Sequence, residues 1–234
     1  MTRHRFYSPA SLTGAVVELI GSEAHHLHNV LRLREGAEVE LFDGLGTEAT
    51  ARVEQATSRR AKLTILSTQL GTAERTSPLI LATAIPKGDR FRWLVEKATE
   101  LGVSRLIPLQ TERSIVDPRS AKLNKMRAAI VAATKQCGRS RLMQLDEPQK
   151  WSDVLQELPN DHSLIIGHPG GSRWSENNFA SDQSKVVLVG PEGGLTEAEV
   201  AEARARGAVP VDLGPRILRI ETAALVLLAH CTND

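Results

Sequence analysis

Three glycine-bearing segments hold the residues of this 234-residue chain whose types and spacing could do chemistry. Gly167-His168-Pro169-Gly170-Gly171, Val189-Gly190-Pro191-Glu192-Gly193-Gly194 and Leu213-Gly214-Pro215-Arg216 each follow an apolar stretch. Glycine lets a ligand approach the main chain closely and supplies turns of positive φ. Three such turns on one sheet edge predict a pocket that reads its ligand largely through backbone N–H and C=O groups. The third segment continues as Ile217-Leu218-Arg219-Ile220-Glu221-Thr222-Ala223-Ala224 and sets two arginines and a glutamate beside the turn. Arg219 and Glu221 read either as an ion pair at a helix start or as polar groups of the pocket, and the convergence of glycine turns favours the second. Neither GxGxxG nor GxxxxGK[ST] occurs, which leaves dinucleotide and P-loop cradles without support. His25, His26 and His28 have no carboxylate or cysteine at coherent spacing, so no metal site is expected. A hydrolase elbow GxSxG is also missing.

The elements that must position these residues follow from hydrophobic period. In the first 70 or so residues, Val16–Ile20, Glu38–Phe42, Glu48–Val53 and Ala61–Leu66 alternate apolar and polar positions, which suits an antiparallel sheet or small barrel. Ser22 to Leu31 reads as a helix with Leu27, Val30 and Leu31 on one face. Gly71 to Pro78 is a polar linker, after which the pattern changes. Leu79 to Ile85 and Lys185 to Val189 are nearly continuous apolar runs, as expected of strands buried on both faces. Arg105–Leu109 and Ser163–Ile166 read as further strands. A helix with Phe91, Leu94, Val95, Ala98 and Leu101 at helical spacing stops at Gly102, and Thr196-Glu197-Ala198-Glu199 opens another as a capping box. Alternating strands and helices imply an α/β domain with a parallel sheet, whose ligands sit at the carboxyl ends of strands.

Composition is that of a soluble globular protein, with 41% hydrophobic and 24% charged residues. No apolar run approaches the roughly 20 residues of a membrane span, and the amino end lacks a signal-peptide core. A cytoplasmic protein with two reduced cysteines, Cys137 and Cys231, is expected. The net charge of +1 conceals a strong division: residues 1–75 are neutral, 76–150 carry +7 and 151–234 carry −6. Arg113 to Arg141 concentrates the excess along a helix with apolar stripe Leu123, Met126, Ile130, Ala133 and Cys137. Such a segment can neutralise nucleic-acid phosphates or form a solvated face.

The same segments carry a family resemblance. His25-His26-Leu27-His28-Asn29-Val30-Leu31-Arg32-Leu33 with Leu41-Phe42-Asp43-Gly44, Pro86-Lys87-Gly88-Asp89-Arg90 with Glu96 to Val103, Gly190 to Gly194, and Arg216 to Ala223 resemble, in order along nearly the whole chain, the ribosomal RNA small subunit methyltransferase E family. The resemblance implies a SPOUT-like, trefoil-knotted methyltransferase domain over residues 73–234, preceded by a PUA-like β-barrel RNA-binding domain over residues 1–72. It implies S-adenosylmethionine as cofactor, 16S ribosomal RNA or the small ribosomal subunit as partner, a homodimer, and methylation of N3 of a uridine in the decoding region. Gly167, Val189, Gly190, Glu192, Gly193, Gly194, Leu213, Gly214, Ile217, Leu218 and Thr222 are then the cofactor residues. Arg219, a fixed donor rather than a base, would stabilise the uracil oxygens, and Glu221 would accept the proton or orient Arg219. Arg3, Arg5, Arg32, Lys87, Arg113, Lys122, Lys125, Arg139 and Arg216 are candidate RNA contacts. The competing readings are a SPOUT-class enzyme acting on another ribosomal or transfer RNA nucleotide, and a non-catalytic RNA-binding assembly factor.

Overall fold

The computed structural model describes residues 3–115, 120–159, 161–180 and 182–232, with the side chains of residues 120–122 also outside the description. The chain divides into two units, one up to Glu74 with Thr134–Leu142, the other Arg75–Ala133 with Met143 onward. A single linear boundary near residue 72 makes no provision for the inclusion of 134–142 in the first unit.

The first unit is a curled five-stranded sheet. Its elements are β1 (Arg5–Tyr7), β2 (Val16–Ile20), α1 (Gly21–His25), β3 (Glu38–Phe42), β4 (Thr47–Ala56) and β5 (Arg60–Leu70), in strand order β1-β3-β4-β5-β2. All pairs are antiparallel except β1 with β3. Alternate residues of the strands, among them Val17, Leu19, Val39, Leu41, Ala51, Val53 and Leu63, are fully or almost fully buried in one core with Phe6, Leu12 and Leu27. Two departures from expectation occur here. β1 is three residues long, too short to show an alternation. The helix expected from Ser22 is α-helical only through His25 and continues as a wider π-turn, His26–Val30. That turn shifts the side-chain period, so Leu27 is buried while Val30 is 61% exposed.

The second unit is a parallel sheet between helices. Along the chain it contains β6 (Leu79–Ala84), α2 (Arg90–Glu100), β7 (Arg105–Gln110), α3 (Ser120–Cys137, whose last turn groups with the first unit), β8 (Gln144–Leu145), β9 (Gln149–Lys150), α4 (Trp151–Glu157), β10 (Ser163–Ser172), β11 (Lys185–Val189), α5 (Glu197–Ala205), β12 (Val209–Val211) and α6 (Ile220–Thr232). The strand order is β12-β10-β11-β6-β7-β8, with β9 also on β7. Every residue of β6 and β11 is buried, because both strands are central and covered on both faces. Ile80, Ala82, Ile107, Leu109, Leu164, Ile166, Val186 and Leu188 pack with Trp151, Val154 and Leu155 of α4 and Val200 and Ala203 of α5. On the other side α6 packs on β11, β6 and α2. Phe91, Leu94, Val95 and Ala98 form the buried stripe of α2, which ends at Gly102, φ 80°. Among the described residues no helix is long and apolar enough to cross a membrane.

β10 runs further than its apolar stretch. Gly167 and Ser172 are both in register with Val211, so residues 168–171 loop out between two points of pairing. The expected turn is therefore a wide bulge, and Gly171 makes it possible. A Cβ there would lie 2.5 Å from the Pro210 carbonyl carbon and oxygen.

Candidate functional site

The carboxyl ends of β10, β11 and β12, neighbours in the sheet around β10, open into a cavity of about 520 Å³. Its walls are the bulge of β10 (Gly167, His168, Pro169), the turn after β11 (Val189 to Glu192, Gly194, Leu195), the segment after β12 (Asp212 to Leu218), and Ile220 and Ala223 of α6. Nine of the eleven residues expected to hold a cofactor line it. Gly193 and Thr222 do not. Leu195, Leu213, Ile217, Leu218 and Ile220 make much of the wall apolar, and Ile217 is 97% exposed. Such a side chain contributes nothing to a core, and its place at the cavity is its described setting. His168, Ile220 and Ala223 lie within the segments singled out in sequence without being assigned to the cofactor, and Asp212 and Leu195 lie just outside those segments.

Local chemistry fixes each wall. The turn after β11 closes with Gly194 N–H donating to the Pro191 carbonyl (2.9 Å), and Gly194 has φ 72°, a conformation that favours glycine. A Cβ on Gly190 would lie 2.7 Å from Leu195 Cγ. Asp212 ties the other two walls together, accepting from Gly214 N–H at 2.7 Å and Gly170 N–H at 3.1 Å. Those backbone hydrogen bonds hold its carboxyl below the usual carboxylate range. The capping box of α5 is formed as expected, Thr196 and Glu199 each accepting from the other's N–H. Glu199 also accepts from Glu112 N–H at 2.8 Å, which anchors the turn carrying Arg113. Arg113 Nη1 then donates to the Gly193 carbonyl at 2.9 Å.

Arg219 and Glu221 separate. Arg219 is exposed between cavity-lining Leu218 and Ile220, whereas Glu221 is buried and off the cavity wall. Glu221 pairs with Arg90, not Arg219: Arg90 Nη1 is 3.5 Å from Glu221 Oε1 and 3.9 Å from Glu192 Oε1. The other Glu221 oxygen, Oε2, is buried without a hydrogen-bond partner.

The candidate RNA contacts divide in the same way. Arg3, Arg32, Lys87, Arg113, Lys125 and Arg216 are exposed, and Arg216 also lines the cavity. The Lys122 side chain lies outside the described residues. Arg139 is buried and pairs with Glu74 through Nε (3.2 Å) and Nη2 (3.0 Å). Arg5 Nη2 donates to Glu48 Oε1 (2.6 Å) and the Arg139 carbonyl (2.7 Å), with its guanidinium 5.0 Å from the Phe42 ring centre. These two guanidinium groups are engaged inside the first unit and are not presented to a phosphate.

Comparison with known proteins agrees with this architecture. A family model described as an RNA methyltransferase domain matches residues 73–232, and one described as an RNA methyltransferase PUA domain matches residues 19–66. Ribosomal RNA small subunit methyltransferase E of Bacillus subtilis is 30% identical, with 90% of this chain and 87% of the relative covered. The Synechocystis protein of the same name is 32% identical, with 95% and 75% covered. Ribosomal RNA small subunit methyltransferase E from Neisseria gonorrhoeae, solved bound to S-adenosylmethionine, superposes with a TM-score of 0.87 at 34% identity, with 98% and 96% covered. A Legionella pneumophila protein solved with bound S-adenosylmethionine gives 0.89 at 32% identity, with 100% and 98% covered.

Proposed function

The chain belongs to the ribosomal RNA small subunit methyltransferase E family, and from that premise we propose that it transfers a methyl group from S-adenosylmethionine to N3 of a uridine in 16S ribosomal RNA. The observation that carries the proposal is the cavity at the ends of β10, β11 and β12. Its volume of about 520 Å³ suits a small ligand, for which pockets run from about 300 to 1,000 Å³. The apolar walls fit the faces of a purine, and the glycine turns let its polar edges approach the main chain. Glu192 and Asp212 on the wall suit a ligand bearing positive charge.

Gly167, Val189, Gly190, Glu192, Gly194, Leu213, Gly214, Ile217 and Leu218 would hold the cofactor. When bound, S-adenosylmethionine supplies an electrophilic methyl group on a sulfonium and leaves as a neutral thioether. Uridine N3 must lose its proton to attack, and the resulting negative charge spreads onto O2 and O4. Arg219 is assigned to those oxygens, since a fixed cation placed where charge develops lowers the barrier without reorganising at the moment of reaction. In this reading the proton leaves to water. Buried and off the cavity wall, Glu221 is better suited to positioning α6 than to accepting that proton.

Arg216, Lys87, Arg113, Lys125, Arg3 and Arg32 are assigned to RNA. The proposal includes a homodimer working in the cytoplasm. It also includes the trefoil knot, which is supported by the return of the chain from the sheet edge at β12 to α6 against β11, β6 and α2. Incubation with labelled S-adenosylmethionine and small subunits lacking the modification, followed by mass spectrometry of the nucleosides, tests it. One N3-methyluridine per subunit is expected. No transfer, or a methyl on any other nucleotide, overturns the assignment.

A further inference from the structure

Arg90 closes the Pro86-Lys87-Gly88-Asp89-Arg90 segment, of which the reaction as described uses only Lys87. It is the first residue of α2, and its Nε donates to the Lys87 carbonyl at 3.1 Å, which fixes the guanidinium near its own backbone. Nη1 then stands within ion-pair range of two carboxylates from different walls, Glu221 at 3.5 Å and Glu192 at 3.9 Å. Glu192 belongs to the turn after β11. Glu221 is the second residue of α6, two residues after Arg219 and next to cavity-lining Ile220.

The energetics favour a role for this bridge beyond surface pairing. The Glu221 side chain is 8% exposed and one of its oxygens has no hydrogen-bond partner. A buried carboxylate without a cation nearby is strongly disfavoured, and Arg90 is the cation that the described ion pairs give it. The guanidinium carries five N–H donors in a rigid fork, so one side chain can restrain two acids. Glu192 keeps 40% side-chain exposure and its turn is already closed by the Gly194 to Pro191 hydrogen bond. Loss of Arg90 should therefore leave the turn able to bind, while the start of α6 loses the contact that fixes it.

We propose that Arg90 is a positioning residue for methyl transfer, one guanidinium that fixes the Arg219-bearing start of α6 through Glu221 and restrains the cofactor turn through Glu192. The inference rests on the methyl-transfer reading above. It acts on kcat, because Arg219 is needed where charge develops, more than on cofactor affinity.

The test uses the full chain and two separate readouts. Calorimetry with S-adenosylmethionine alone gives the cofactor Kd, and turnover on small subunits lacking the modification gives kcat and KM. For Arg90→Gln, kcat should fall by about tenfold to a hundredfold while the cofactor Kd changes by less than about threefold. Arg90→Lys, which keeps the charge but has one donor centre, should fall between that variant and the native chain. Arg90→Gln combined with Glu221→Gln should be no slower than Arg90→Gln alone within about twofold, because the two residues act as one unit. Arg92→Gln, on the exposed side of the same helix with its own pair to Glu96, should leave kcat unchanged. A kcat for Arg90→Gln within twofold of the native value, equal losses in kcat and cofactor affinity, or multiplicative effects in the double variant overturns the proposal. Should Arg90→Gln fail to unfold cooperatively, Arg90→Lys decides by the same split between kcat and Kd. A native chain that neither binds S-adenosylmethionine nor transfers a methyl group overturns the function and this inference with it. Native activity with an indifferent Arg90 overturns the inference alone.

Discussion

The cavity of the second unit and Arg5 and Arg139 of the first are equally conspicuous in the sequence, yet they are put to opposite uses. Around the cavity the conspicuous residues remain available: glycine turns line it, and Arg216 and Arg219 are exposed beside it. In the first unit Arg139 is paired with Glu74, Arg5 with Glu48, and Lys135 with Glu23 at 2.9 Å, so charges that could have met phosphates hold the unit together. A glycine turn states a backbone geometry by itself, because the strain it relieves is local. A charged side chain states nothing until its partner is known, and partners come from distant sequence. Glu74 and Arg139 are 65 residues apart.

The largest effect expected from this contrast is on stability. Arg139→Ala would leave the Glu74 carboxylate without its paired guanidinium, and breaking a buried pair from one side costs about 3 kcal/mol or more. Chemical denaturation of the variant should show that loss. If stability is unchanged while RNA affinity falls, Arg139 belongs with the free cations and the contrast is broken. Gly171→Ala should follow, at about 2 kcal/mol, because its Cβ would meet the backbone of Pro210 at 2.5 Å and overpacking that cannot relax costs 1–3 kcal/mol. That loss should appear together with weaker cofactor binding, since the bulge is a cavity wall. A variant with native stability and affinity would show that the bulge can move aside.

The elements legible in sequence were those whose pattern repeats. The all-buried runs of β6 and β11, the stripe of α2 ending at Gly102 and the capping box at Thr196 lie where hydrophobic period and capping chemistry put them. β1, three residues long, and α4, seven, are too short to display a period. The π-turn at His26–Val30 breaks the period it starts from. At the site, the glycine turns were legible as main-chain geometry, but the partnership of Glu221 was not. Arg219, two residues away, was the nearby candidate in sequence, and Arg90, 131 residues away, is the partner in space. Asp212 is not legible in sequence because a lone aspartate after a short strand has no pattern, and its role depends on two N–H groups 44 residues apart in the chain.

Asp212 gives the next prediction. Its ionised carboxylate joins two cavity walls, and the bonds from Gly214 and Gly170 hold its pKa below the ordinary value. A lowered folded-state pKa means that this tether is complete above the unfolded value of about 4 and is lost as pH falls through the lowered pKa. Asp212→Asn should weaken S-adenosylmethionine binding severalfold at pH 7, and its deficit relative to the native chain should shrink as the native Asp212 is protonated. Calorimetry across that range reads both. Equal affinities at pH 7 would mean that the bulge and the segment after β12 are held in place without the tether, and that the cavity is even more a product of backbone geometry than the glycines suggest.

The smallest effect tests the other half of the contrast, the charges that remain outside. Lys125 is exposed on α3, so Lys125→Gln should shift stability by less than about 0.5 kcal/mol. If Lys125 meets a phosphate, the slope of log affinity for RNA against log salt should flatten by about 0.7 to 0.9, the release expected for one neutralised phosphate. Arg5→Gln, by contrast, should cost stability and leave the slope of its folded fraction alone, since its Nη2 donates to Glu48 and the Arg139 carbonyl. An unchanged slope for Lys125→Gln would make this position a solvated surface. A flattened slope for Arg5→Gln would mean that RNA competes for an arginine already engaged, and that the free and the engaged cations differ in degree rather than in kind.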